Sequence, residues 1–454
     1  MPTVDRLLRR YCHCWALFLG LFMVLPGCDD LDDAADELLP SEKVLDQRDV
    51  YSVMNRYYYW YDQIPNLDPD DFSSVPEAFR ACLWTTARGG LDKWSFILTL
   101  EEYEHWICDG EVDAFGATFV RYFNQVSGEH ELRVGFVHQQ SPMDDAGIER
   151  GYRLESINGI PVAHFLSGTA SLEAQLLLSE GTFVFKDLSG QQVQRSLVRG
   201  TVHIHPADSW TVFTRAGRKT GYLMCTSFIV TPEEGQRMLS AFEYFDQQDI
   251  DDLIIDLRYN TGGDLNYARD FTGYFIPLES FDHVFLRLLY NDQVASEMNK
   301  VYYLKILQPA LNLSRVVFIT SSFTASASES VINGLLPHME VIRVGTPTRG
   351  KPVGMNAFAI PRQVLELSAA RWVLFPICFE TRNRLHQGAY YDGLLPDISV
   401  QDDVLHPFGD QEACIRSALD YLETGEIPPS GAFKSTPADA GSFMTGFRAT
   451  LGFY

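Results

Sequence analysis

The segment FTASASESVING, residues 323–334, sets Thr324, Ser326, Ser328, Glu329 and Ser330 within seven positions. A serine hydroxyl attacks a carbonyl efficiently only when a base takes its proton. The segment GTPTRGK, residues 345–351, offers Lys351 as that base. A lysine amine must be neutral to accept a proton; its ordinary pKa is ~10.4, and burial in an apolar site lowers it by several units. Lys351 stands between a glycine turn and the apolar run PVGMNAFAI, a setting that removes water from an amine. Acyl transfer also needs N–H donors aimed at the developing oxyanion. Two sources are available: the amide that follows a serine at a strand-to-helix turn, and the amides of Gly262 and Gly263 in DLRYNTGG, residues 256–263. Ser326-x-x-Glu329 also reads as a capping box, which is compatible with catalysis. Residue types alone leave the choice among the serines open. A Ser-His-Asp arrangement using His283, His338, His386 or His406 also stays open, although no histidine has a motif around it.

GTPTRGK matches most of a nucleotide-binding loop, G-x-x-x-x-G-K. Pro352 follows where Ser or Thr would hold magnesium, and the next residues alternate like a strand. A phosphate loop must open a helix whose N–H groups meet the phosphate. Nucleotide binding is therefore a poor reading.

The elements that must position these residues alternate between strand and helix from residue 205 onward. GYLMCTSF, DDLIID, RVVFITSSF and EVIRVG read as buried strands; PEEGQRMLSAFEYFDQ, DLNYARDFTGYFI and SVINGLLPHM read as helices. Such alternation implies mostly parallel pairing, with chemistry at the carboxyl ends of the strands. Residues 260–263, 321–329 and 345–351 fall at such ends. Asp256 and Arg258 read as residues that hold the loop.

Ahead of this core, VLDQRDVYSVMNRYYYW and PEAFRACLWTTA read as helices of a small aromatic-rich module, residues 44–108. Residues 111–204 are strand-rich. The string SPMDDAGIERGYRLESINGIPV, residues 141–162, resembles a PDZ domain, with Tyr152 where an aspartate is usual. PDZ domains add an extended peptide end to a sheet edge. The resemblance puts Phe115, Gly116 and Ala117 at the loop that would hold the terminal carboxylate. Residues 426–454 are rich in Pro, Gly, Ser and Ala and read as a flexible tail.

At the other end, basic Arg6, Arg9 and Arg10 precede an apolar run too short to span a membrane. This reads as a signal peptide, residues 1–28. Its ending Leu25-Pro26-Gly27-Cys28 resembles a lipobox, which implies lipidation of Cys28 and an outer-membrane lipoprotein of the bacterial cell envelope, facing periplasm or cell surface. The acidic stretch that follows, residues 29–43, reads as a tether. The net charge of −24 argues against a nucleic-acid partner, which needs basic patches. No Cys/His spacing suggests zinc, and Cys82, Cys108, Cys225, Cys378 and Cys414 read as buried free thiols.

DLRYNTGG, TASASESVINGL (324–335) and VGTPTRGK (344–351), in this order behind a PDZ-like unit, resemble the C-terminal processing, or tail-specific, serine peptidases, in the bacterial lipoprotein branch. The resemblance covers about residues 44–425. In that family the nucleophile is the middle serine of S-A-S-A-S-E, and the lysine base follows 25 residues later. Thr324 holds the first place here, so the resemblance implies Ser326 as nucleophile and Lys351 as base. It implies an oxyanion hole from the amides of Ala327 and of Gly262 or Gly263. It gives Glu329 the family's acidic position. Many members carry a glutamine that orients the lysine where this chain has Met355; Glu329, Asn356, a backbone carbonyl or packing alone would then do that work. The implied fold is multidomain α+β: an N-terminal helical module (44–108), a PDZ-like β-rich domain (111–204) and a ClpP/crotonase-like α/β peptidase core (205–425). The implied activity is a serine endopeptidase that cleaves polypeptides in the envelope and uses no metal or cofactor. The alternative is an inactive lipoprotein that binds peptides through the PDZ-like domain.

Overall fold

The computed structural model describes residues 42–361 and 370–428. The signal segment, Cys28, most of the tether and residues 429–454 of the tail lie outside the described residues.

The core is a six-stranded sheet in the order Ala207–Arg215, Arg218–Cys225, Asp252–Asp256, Arg315–Thr320, Glu340–Gly345, Ile398–Ser399. All neighbours pair in parallel except the first two strands, which form an antiparallel hairpin. Parallel sheets are covered on both faces, so their strands are continuously apolar. Asp252–Asp256 follows this rule and is buried at all five positions.

One face receives the helix Pro232–Gln248. Thr231 caps its start by accepting from Glu234 N–H, Pro232 opens the first turn, and Asp249 ends it at φ 55°. Its Met238, Ala241, Phe242 and Phe245 enter the same apolar cluster as Leu253 and Ile255. The other face receives Ala413–Thr424, whose Ile415, Ala418, Leu419 and Leu422 pack on Ile254, Val317 and Val344. Each fully buried large apolar side chain of this kind contributes roughly 1.5–3 kcal/mol.

The β-rich domain is a separate sheet in the order Ala117–Asn124, Glu129–Val137, Arg153–Ile157, Glu180–Lys186, Gln192–Val198. Asn158 (φ 51°) and Gly159 (φ 78°) make the expected hairpin turn. Its core is aromatic, with Phe115, Phe119, Phe183 and Phe185. The chain enters along Glu111–Ala114 and leaves along Gly200–His203, and these two strands pair with each other.

The N-terminal module departs from the sequence expectation in two ways. Its second helix is short, Val75–Cys82, because the chain turns extended at Leu83 and Trp84 N–H is taken by the Tyr58 hydroxyl. The module is also not purely helical. Its strand Phe96–Thr99 pairs with Trp372–Phe375, which pairs in turn with Phe358–Ile360. Val50, Tyr58, Trp60 and Phe79 share one cluster with Val353, Ile360 and Ile377. The module thus packs directly on the strand Val353–Met355 that follows Lys351. A further sheet, Lys300–Tyr303, Val284–Tyr290, Ile377–Asn383, Val353–Met355, holds that strand from the other side.

Cys82, Cys225, Cys378 and Cys414 are buried free thiols. Burial pushes Cys82, Cys225 and Cys378 up to about 12. Among the described residues, no helix is long and apolar enough to cross a membrane.

Candidate active site

Ser326 stands at the turn between Arg315–Thr320 and the helix Ala327–Leu335, with φ 57° and ψ −117°. A non-glycine residue held there costs about 1–3 kcal/mol and persists only when its surroundings enforce it. The enforcement is visible. Ser326 N–H donates to Glu329 Oε2 at 2.9 Å, and Ser330 N–H donates to Ser326 O at 2.9 Å. Thr324 Oγ1 donates to Leu257 O at 2.8 Å, Ala325 N–H to Asn260 O at 3.2 Å, and Ser328 Oγ to Asn260 O at 3.1 Å. Thr324, Ser328 and Ser330 are buried, whereas Ser326 is partly open. The other hydroxyls thus serve as stitching, and Ser326 is the serine left accessible.

Glu329 joins the two segments that carry the serine and the lysine. It is fully buried. Oε2 accepts from Ser326 N–H and from Lys351 N–H at 2.8 Å; Oε1 accepts from Gly350 N–H at 2.7 Å and Thr348 Oγ1 at 2.5 Å. Burial raises its carboxyl above the usual range, and these four donors oppose that rise. Thr348 Oγ1 in turn accepts from Leu394 N–H at 2.7 Å. Gly350 (φ 82°) is required by a close approach: a Cβ there would lie 2.3 Å from Tyr391 O.

Lys351 is buried, at 6% exposure. Its Nζ lies 3.7 Å from Met355 Sδ, so the residue four positions on does touch the amine, as a weakly accepting thioether. Pro352 leads into the strand Val353–Met355 rather than a helix, which removes the nucleotide-loop reading.

The glycine turn closes over the serine. A Cβ on Gly262 would lie 2.8 Å from Ser326 Cβ and 3.1 Å from Ala327 N, so the two predicted oxyanion segments meet. Gly263 backs onto Phe228, whose carbonyl carbon would be 2.3 Å from an added Cβ. Gly262 N–H donates to Asn260 Oδ1 at 2.8 Å and is thereby engaged. Asn260 is a residue the sequence reading passed over, although an Asn two positions before a glycine is a recognised turn signal. It binds Gly262, Ala325 and Ser328 at once. Thr348 was likewise missed, and nothing local marks it.

Asp256 and Arg258 do hold the loop. Tyr222 Oη and Arg258 Nε donate to Asp256, and Arg258 donates to Asp402 and Glu412 at 2.8–3.0 Å. Arg150 of the β-rich domain reaches the same group, donating to Tyr259 Oη at 2.7 Å and Asp402 Oδ1 at 2.6 Å. The histidines have other partners: His338 Nε2 meets Val284 O at 3.0 Å, and His406 Nδ1 meets Asp403 at 2.8 Å. In the β-rich domain, Phe115 is buried on Phe183, Phe115 O accepts from Met143 N–H, and Gly116 O accepts from His138 N–H. Ala117 opens the edge strand Ala117–Asn124. Among the described residues, no group of three or more His, Cys, Asp or Glu side chains is arranged to hold a metal ion.

A family model described as peptidase family S41 matches residues 219–400, and one described as the peptidase S41 N-terminal domain matches residues 47–96. The chain is 28% identical over 275 residues to the chloroplastic carboxyl-terminal-processing peptidase 3 of Arabidopsis thaliana, covering 57% of this chain and 50% of that protein. It is 24% identical over 314 residues to a carboxyl-terminal-processing protease of Synechocystis, covering 66% of each. The chain spans half to two thirds of the length of these curated relatives. In fold it is similar to a Bacteroides fragilis crystal structure assigned to the S41 proteases, with TM-score 0.62, 23% identity and coverage of 83% and 97% of the two chains. It is also similar in fold to the photosystem II D1 C-terminal processing protease, with TM-score 0.52, 15% identity and coverage of 84% and 97%.

Proposed function

Because the chain belongs to peptidase family S41, the C-terminal processing peptidases, we propose that it is a serine endopeptidase working through a Ser326–Lys351 dyad. Lys351 Nζ takes the Ser326 proton as Oγ attacks a peptide carbonyl. The N–H groups of Ala327 and Gly263 receive the oxyanion; Gly262 N–H is engaged by Asn260. The protonated lysine then gives its proton to the leaving amine, and water releases the acyl group from Ser326. The observation that carries this reading is the Glu329 carboxylate, which binds the main chain of the nucleophile turn and of the lysine loop together. A geometry fixed in this way is what removes the entropy cost of assembling reacting groups.

The substrate in this reading is a polypeptide. The edge strand Ala117–Asn124, behind Phe115 and Gly116, would take up its extended end, and acylated Cys28 would hold the enzyme at the envelope membrane. The test is turnover of an unfolded protein by the mature chain beside Ser326→Ala and Lys351→Ala. Loss of at least about a thousandfold in kcat is expected for each, the scale seen when a catalytic group is removed. Hydrolysis that survives Ser326→Ala overturns the nucleophile. Peptide binding without hydrolysis in the unmodified chain favours a binding protein instead.

A further inference from the structure

The sulfur atoms of the chain are unevenly exposed. Cys82, Cys225, Cys378 and Cys414 are buried thiols, and a buried thiol in apolar surroundings stays protonated and inert. Met54, Met143, Met224 and Met238 are also fully buried. Met298, Met339 and Met355 are partly open. Met298 ends the short helix Ala295–Met298, and Met339 precedes the strand Glu340–Gly345. Met355 is placed differently: its Sδ lies 3.7 Å from Lys351 Nζ. A partly open sulfur thus stands against the base of the dyad.

The backbone explains the placement. Met355 is the last residue of Val353–Met355, the edge strand of its sheet. Its ladder with Ile377–Asn383 changes register there: Gly354 faces Phe379, Met355 faces Ile377, and Cys378 is left over. An extra residue of this kind bends the ladder and re-aims a side chain, and such bulges gather next to active sites. The N-terminal module holds the bulge, since Tyr59 N–H donates to Ile377 O at 2.7 Å and Ile377 N–H to Ser95 Oγ at 2.9 Å. Met355 packs on the cluster that contains Tyr58, Trp60 and Ile377, and remains partly open. A thioether accepts only weakly, so the reduced sulfur touches the amine without holding its proton.

We propose that Met355 is a redox-modification site at the dyad, where a peroxide converts the thioether to a sulfoxide whose oxygen binds Lys351 and stops turnover. The sulfur lone pair attacks one peroxide oxygen, and the S–O bond forms as the O–O bond breaks. The departing hydroxide takes the proton of the transferred oxygen and leaves as water. Sulfur loses two electrons and the peroxide gains them. An oxygen bonded to a sulfur 3.7 Å from Nζ falls within hydrogen-bond reach of the amine. A hydrogen bond to the charged form favours that form, so Lys351 is held as an ammonium and does not take the Ser326 proton. Methionine sulfoxide reductases reverse the change: a dithiol supplies two electrons and becomes a disulfide, and the oxygen leaves as water. The effect on turnover rests on the Ser326–Lys351 reading; the oxidation of Met355 does not.

Hydrogen peroxide tests the site on the mature chain. Peptide mass spectrometry reads the oxygen added at each methionine, and turnover of an unfolded protein is measured before and after. Turnover should fall at least about tenfold as Met355 oxidises, the scale of a hydrogen bond to a charged group. It should return with a dithiol and both methionine sulfoxide reductases, one for each sulfoxide epimer. In Met355→Leu the treated-to-untreated ratio should stay near one, while Met298→Leu and Met339→Leu remain sensitive. Because the ratio is taken within one protein, a variant of lowered basal turnover still reports. In protein carrying isotope-labelled lysine, the Lys351 Nζ NMR signal should move on oxidation, and should not in Met355→Leu. Turnover that survives full oxidation of Met355, a Met355 that stays reduced while Met298 and Met339 oxidise, peroxide sensitivity retained in Met355→Leu, or an unmoved Lys351 signal overturns the site. Failure of the dyad reads differently: the untreated protein then hydrolyses nothing, while the oxidation of Met355 and the Lys351 signal still report on the contact.

Discussion

Two buried carboxylate clusters fix the loop Asp256–Gly263 and its neighbours, and they are built from opposite materials. Around Glu329 a single carboxylate meets three main-chain N–H groups and one hydroxyl. Around Arg258 two guanidinium groups meet Asp256, Asp402 and Glu412 under the ring of Phe408. The first cluster sets the backbone of the serine turn and the lysine loop to within a hydrogen-bond length. The second rivets the β-rich domain and the helix Ala413–Thr424 to the sheet. Amide donors fix position without adding side-chain charge beside a reaction that must move a proton. Ion pairs bind large pieces together, but removing one partner strands a charge in a dry interior.

That asymmetry gives the largest expected effect. Arg258 is 1% exposed, so Arg258→Met leaves Asp256 and Glu412 without their main counter-charge. Breaking a buried pair in this way costs about 3–5 kcal/mol. Urea unfolding should report that loss. If the midpoint hardly moves, the network is not what secures this side of the sheet. For Glu329→Gln the expected loss is catalytic: in either orientation the amide must turn its NH2 group toward at least one main-chain N–H donor, and a displaced serine turn costs ~100-fold in kcat. Steady-state kinetics should show kcat falling with KM little changed. A fall confined to KM would mean that Glu329 shapes binding rather than the dyad.

Acid separates the clusters in another way. The Arg150 and Arg258 charges lower Asp402 to about 2 against the opposing effect of burial, and Arg258 likewise lowers Glu412. A depressed folded pKa contributes stability that is present above the unfolded value of ~3.9 and is lost as pH falls through the folded one. For Asp402 that is about 2–3 kcal/mol, lost between roughly pH 4 and pH 2. Glu329 has the opposite sign: its raised carboxyl takes a proton at a higher pH than ordinary carboxylates, and an acceptor site is then lost from its network. On acid titration, the serine turn should therefore loosen before the fold does, as read by the NMR signals of the Ser326 and Lys351 amides beside near-UV circular dichroism curves. Coincident midpoints would show that the two clusters fail together.

The same contrast explains what was legible in the sequence. The serine turn, the glycine turn and the lysine loop each lie at a strand end, and period, glycine and polarity mark them locally. The helix Pro232–Gln248 is written by Thr231, Pro232 and its apolar stripe. The rivet is not local: Arg150 meets Asp402 across 252 residues, and nothing near either position announces the partner. The strand Phe96–Thr99 escaped for the same reason, because its partner Trp372–Phe375 lies in a distant part of the chain. Asn260 was readable as a turn residue, but its bond to Ser328 needed the fold to bring two strand ends side by side.

The smallest effect sharpens the division between positioning and chemistry within the serine segment itself. Ser328 is fully buried, two residues from Ser326, and spends its hydroxyl on Asn260 O at 3.1 Å. Removing that hydroxyl takes one donor from a carbonyl that still receives Ala325 N–H, so no acceptor is stranded. Ser328→Ala should cost about 1 kcal/mol in denaturant unfolding, the net worth of an ordinary hydrogen bond. Its kcat should stay within about threefold of the unmodified chain, because the Glu329 donors that set the turn are untouched. A loss of kcat approaching that of Ser326→Ala would transfer the nucleophile to Ser328, and the accessible hydroxyl of Ser326 would then need another role.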